Sequence, residues 1–199
     1  DCAIICRNNA PLVEIALKCV RRRIPVCVLG RNIARDATYV VEQVFRNCPT
    51  AVRQPSPWAE ARQKVRDELQ DRPFALEAEM EKIDIAYALA GHALERPEVR
   101  DVAALLGAMV EVCGELLVDD PKPGTVICAT VHKAKGLEWN NVVFYRPEMI
   151  PSRAAVKAGG WHVVQERNLF YVGVTRAKDR LIYFTKSDDP CGRLVEVGA

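Results

Sequence analysis

The segment TVHKAKGLEW (130–139) gathers a histidine, two lysines, a glycine and a glutamate into one short stretch. His132, Lys133 and Lys135 suit anionic oxygens. Gly136 lets backbone approach a phosphate closely, and Glu138 can accept hydrogen bonds from sugar hydroxyls. Farther along, YVGVTRAK (171–178) ends an apolar, helix-like run with an arginine. Leu169, Phe170, Val172 and Val174 would anchor that helix. An arginine held at its rigid end could stabilise charge on a transferring phosphoryl group. A third candidate, Arg7 in AIICRNN, falls just past a short apolar run, where its guanidinium could fork onto a phosphate. By residue type alone, each has a plainer reading. The loop could be solvated charge that serves solubility. Arg176 could pair with Asp179 or Glu166, and an arginine after a strand is commonplace. Residue types leave both readings open.

The elements that would position these residues follow from hydrophobic spacing. Cys2–Cys6 is a continuous apolar run, the pattern of a buried strand. From Pro11 to Arg23, apolar residues fall at 12, 13, 16, 17 and 20, a helical spacing, and PVCVLG (25–30) reads as a second strand. Strand, helix and strand in about thirty residues form a βαβ unit, which implies a parallel sheet covered by helices. A further helix is expected over 32–47, and a proline-bearing linker over 54–58. From 59 to 118 charge is dense and spacing helical, with Pro73 and Pro97 dividing the stretch into about three helices. TVICATV (125–131), NVVFY (141–145) and LIYFTK (181–186) read as strands, 163–178 as a helix, and 147–160 as a mobile loop. On this reading the residues after Val131 lie at the carboxyl edge of a parallel sheet, where open α/β folds bind ligands, and Arg7 shares that edge.

Composition narrows the class. With 49% hydrophobic and 27% charged residues, the 199-residue chain is ordinary for a soluble globular domain. A net charge of +2 provides no global basic field, so any nucleic-acid contact must be local. No run of about 18 apolar residues exists, which argues against a membrane span. The eight cysteines lie mostly in apolar runs and include no CxxC pair, so reduced thiols in a cytoplasmic protein fit better than a disulfide or metal framework. The opening DCAIICRNN has the form of neither a signal peptide nor an initiation site, and the expectation is a piece of a longer protein.

TVHKAKGLEW, ERNLFYVGVTRAKDRL and AIICRNNAPL together resemble motifs V, VI and IV of superfamily 1 DNA helicases of the UvrD/Rep/PcrA type. The resemblance implies a RecA-like α/β domain built from 1–55 and 119–190, a reduced helical insertion at 56–118, and a tail at 191–199. It implies that Arg176 and Arg7 reach the γ-phosphate, that Glu138 contacts the ribose and that Gly136 lies near the phosphates. Thr130 and His132, with Lys133 and Lys135, would lie along single-stranded DNA. ATP and Mg2+ would be shared with an N-terminal RecA-like domain of the same protein, because GxxxxGK[ST] is absent from this chain. The implied partners are single-stranded DNA and duplex junctions, in repair or replication. Cys6 stands where the family carries an aromatic that stacks on adenine. A motor half of a nuclease-linked AddA/RecB-type helicase and a non-catalytic binding module are the alternatives.

Overall fold

A computed structural model describes residues 1–29, 33–116 and 122–185. Five strands form one parallel sheet in the order β2-β3-β1-β4-β5. They are β1 (Cys2–Cys6), β2 (Val26–Val28), β3 (Val126–Thr130), β4 (Trp139–Tyr145) and β5 (Ala177–Phe184). Between them run α1 (Asn9–Arg21), α2 (Ile33–Val44), α3 (Ser56–Leu69), α4 (Pro73–Ala93), α5 (Val102–Leu116), α6 (Arg153–Ala158) and α7 (Trp161–Val174). This is the α/β architecture of a RecA-like domain.

The period-two alternation of a strand sorts the core into two layers. Ile4, Cys6, Cys128 and Tyr145 point to one face, against α1, α2, α4 and α5. Ala3, Ile5, Ala129, Val142 and Phe144 point to the other, where Leu169, Phe170, Val172 and Val174 of α7 cover them. Both faces are therefore dry, which is why the strands read as unbroken apolar runs. Gly173 allows α7 to approach most closely. A Cβ there would stand 2.7 Å from the Phe144 ring.

Trp58, Ile83, Leu89, Leu105 and Met109 belong to the same core as Leu12 and Val26. The helices at 56–116 thus complete the first face instead of forming a separate body. Trp58 locks the join, meeting Phe45 and Tyr87 edge to face at centroid distances of 5.5 and 5.3 Å.

Three local expectations are corrected. Pro55 and Pro57 do not make a linker, because proline suits a first helical turn and α3 starts at Ser56. Residues 147–160 are not a loop. They form a 3-10 turn (Pro147–Met149) and α6, whose first turn is capped by the Ser152 hydroxyl accepting from the Ala155 N–H at 3.1 Å. Ile150, Ala154 and Ala155 are buried, so apolar contact outweighs the turn chemistry of the prolines and glycines. Finally, β5 begins at Ala177, not 181. Its first half is charged because it is an edge strand with exposed side chains. The tail at 191–199, with Cys191, lies outside the described residues; the other seven cysteines are free thiols.

Candidate nucleotide and nucleic-acid sites

The segment after β3 holds the densest set of candidate residues, and its path decides what they can do. Cys6 pairs with Thr130 where β1 and β3 end, whereas Trp139 pairs with Ala177 where β4 and β5 begin. In a parallel sheet, those are opposite edges. Residues 131–138 therefore cross the second face from the carboxyl edge to the amino edge, pinned midway by the buried Ala134. The Ala134 N–H donates to the Thr130 carbonyl at 2.8 Å, and the Leu137 N–H to the Ala134 carbonyl at 3.0 Å, which coils the segment as it goes.

The amino edge carries one group of predicted residues. Gly136 sits at φ +85°, a conformation that favours glycine, with open space beside it. Glu138 is exposed, 3.9 Å from the Lys178 ammonium. Arg176 follows the last turn of α7. Its Nε donates to the Val172 carbonyl at 2.8 Å, its Nη1 to the Leu137 carbonyl at 3.0 Å and its Nη2 to the Thr175 hydroxyl at 2.8 Å. The Trp139 N–H in turn donates to the Arg176 carbonyl at 3.0 Å. These bonds involve none of the carboxylates weighed as its partners. Asp179 accepts from Asn140, and Glu166 binds Arg7. A guanidinium has five N–H donors. Three are directed at fixed oxygens, and these bonds leave two unused. A positive, preoriented group next to an unobstructed glycine turn and an exposed carboxylate has the chemistry to meet phosphates and a ribose.

The carboxyl edge holds the others. Arg7 is here, at the edge expected for it; the correction falls on Gly136 and Glu138, which were expected to share that edge and lie at the opposite one with Arg176. Arg7 follows a strand, whereas Arg176 precedes one, and β1 alone spans about 16 Å between the two edges. Arg7 is held by Glu166. Its Nε reaches Oε2 and its Nη2 reaches Oε1, each at 2.8 Å, while Nη1 donates to the Asn8 side chain at 2.7 Å and lies 3.4 Å from Glu77. Burial alone would lower the Arg7 pKa, but the bonds and charge of Glu166, with Glu77 and Glu81, hold it above its ordinary value. His132 is nearby. Desolvation, then the Arg7 charge, push its pKa below the usual value of 6.5, which favours the neutral ring. Thr130 is only 6% exposed, and its hydroxyl accepts from the Lys133 N–H at 3.3 Å. It shapes the turn from within. Lys133 precedes the midway Ala134 and Lys135 follows it on the way to Gly136; both are exposed.

Cys6, at the place of the expected aromatic, is buried with Sγ 4.0 Å from Met149 Sδ, and burial pushes its thiol up to about 11. It is a packing residue. Sequence reasoning missed Ser152, Glu77 and Gly173, and gave Glu166 the wrong partner. The signal for Glu166 was a lone carboxylate within an apolar helix.

The fold defines an α/β domain of the RecA-like kind. Residues 115–188 match the UvrD-like helicase C-terminal domain. The chain is also 37% identical over 75 residues to F-box DNA helicase protein 1 of Schizosaccharomyces pombe, a match spanning 35% of this chain and 8% of that protein. The matched region contributes β3, β4 and β5. The central β1 and the edge strand β2 come from residues before it. Among the described residues, no helix is long and apolar enough to cross a membrane.

Proposed function

We propose that this domain is the C-terminal motor half of an ATP-dependent DNA helicase that translocates along single-stranded DNA. The observation that carries the reading is the three-point seating of Arg176 beside Gly136 and Glu138, within the stretch that matches the helicase domain. ATP with Mg2+ would supply the phosphoryl group, bound between this edge and an N-terminal RecA-like domain of the same protein.

The residues here then have distinct tasks. Arg176 stabilises charge on the terminal phosphate through its two spare N–H groups. Gly136 lets the backbone come close, and Glu138 accepts from the ribose. Lys133 and Lys135 contact phosphates of the DNA strand, His132 offers a neutral ring beside them, and Thr130 holds their turn in shape. Arg7 serves the strand-facing edge, not the nucleotide. Closure of the cleft over ATP and its reopening would shift the two domains along the strand, through sequence-independent, salt-sensitive backbone contacts.

The deciding experiment uses the full-length protein. DNA-stimulated ATP hydrolysis should be present in the wild type and abolished in Arg176→Ala, with DNA affinity largely retained. Normal turnover in that variant would remove the basis of this reading.

A further inference from the structure

Glu166 is 8% exposed, yet it is a carboxylate in the interior of a helix. Both its oxygens are occupied. Oε1 accepts from Arg7 Nη2, and Oε2 accepts from Arg7 Nε and, at 3.0 Å, from the Ser152 N–H. One side chain thereby ties the end of β1, the start of α6 and the body of α7.

A two-pronged guanidinium–carboxylate pair fixes orientation as well as distance. Breaking such a pair in a dry site is costly, because it strands a charge. The end of β1 and α7 are therefore held as one piece. From Glu166, α7 continues for about 12 Å to Val174. There the Val172 carbonyl accepts from Arg176 Nε, so the Arg176 guanidinium is tied to the last turn of that helix. The Leu137 carbonyl adds a second tie at the amino edge.

We propose that Glu166 is the positioning residue that couples the strand-facing edge at Arg7 and His132 to the nucleotide-facing edge at Arg176. It touches neither ligand. When DNA engages the carboxyl edge, a shift of Arg7 drags Glu166, turns α7 and re-aims Arg176. This inference rests on the helicase reading above.

The test is ATP hydrolysis by the full-length protein with and without single-stranded oligonucleotide, in wild type and Glu166→Gln. The glutamine is nearly isosteric but uncharged, and its amide turns a donor toward Arg7 or Ser152. DNA stimulation should fall at least tenfold while the DNA-free rate stays within about twofold, a split that a merely structural role would not produce. Undiminished stimulation, or a parallel fall of both rates, overturns the coupling. If Glu166→Gln does not accumulate as folded protein, Glu166→Asp keeps the charge and withdraws it by one methylene. Intermediate stimulation is then expected, and wild-type stimulation overturns the proposal. A wild-type protein without any DNA stimulation overturns the helicase reading itself, and the coupling with it.

Discussion

The Arg176 guanidinium donates to the Leu137 carbonyl at 3.0 Å, joining the end of α7 to the turn that presents Gly136 and Glu138. Two segments far apart in the chain thus share one geometry at the amino edge of β4 and β5. Neither can move without the other.

Replacing Arg176 by alanine should lower ATP turnover of the full-length protein by about 10³-fold or more, the scale on which an arginine aimed at a transferring phosphoryl group acts. Lysine should restore little, because an ammonium cannot hold the Val172 and Leu137 carbonyls and the Thr175 hydroxyl at once. Steady-state hydrolysis at saturating DNA measures both. The isolated 199-residue chain should be inactive, since the phosphate-cradling loop is absent from it.

Gly136→Ala should weaken nucleotide binding and cost about 1 kcal/mol of stability, from the left-handed backbone alone. The space beside Gly136 is open, so crowding contributes nothing. Urea denaturation of the domain and nucleotide titration of the full-length protein should both register the change; a neutral result in both would show that the turn tolerates a side chain.

Gly173→Ala tests packing instead of strain. Its Cβ would lie 2.7 and 2.9 Å from two atoms of the Phe144 ring, so α7 must lift or the ring must turn. Overpacking of this kind typically costs about 1–3 kcal/mol. Phe144→Leu in the same chain should recover part of the loss, and additive losses in the double variant would argue against direct crowding.

His132 sets a pH dependence. Its folded pKa lies below 6.5 because of desolvation and then the Arg7 charge. In acid, the unfolded chain therefore takes up the proton more readily than the folded one. The contribution of His132 to stability is present above pH 6.5 and declines as pH falls below that value toward the folded pKa. An NMR titration should place the ring below 6.5, and Arg7→Gln should move it upward.

Lys133 and Lys135 should act through phosphates. Alanine at either position should weaken binding to single strands of any sequence alike and reduce the log–log salt slope by about 0.7 per lost phosphate contact. Fluorescence anisotropy across a salt series gives both quantities.

The parallel sheet, its helices and the three motif segments were legible in the residues. Unbroken apolar runs and 3.6-residue spacing are local signals, and the runs at Cys2–Cys6 and TVICATV mark strands wherever they are placed. Where the signals were ambiguous, burial decided. Residues 147–160 carry prolines and glycines, yet they fold because Ile150 and Ala155 find the core. The charged start of β5 resembles a helix end until its pairing with Trp139 and Asn141 of β4 is known.

The sequence by itself determined which side chains are offered, and grouped Gly136, Glu138, Arg176 and Arg7 as candidates for one site. Only the tertiary structure decided which of them meet. Arg7 and Arg176 looked alike as arginines beside strands. But one follows its strand and the other precedes it, and parallel pairing sends those positions to opposite edges of the sheet. The partner of Arg7 is 159 positions away in the chain, and no local spacing encodes a contact made only when α7 packs across β1.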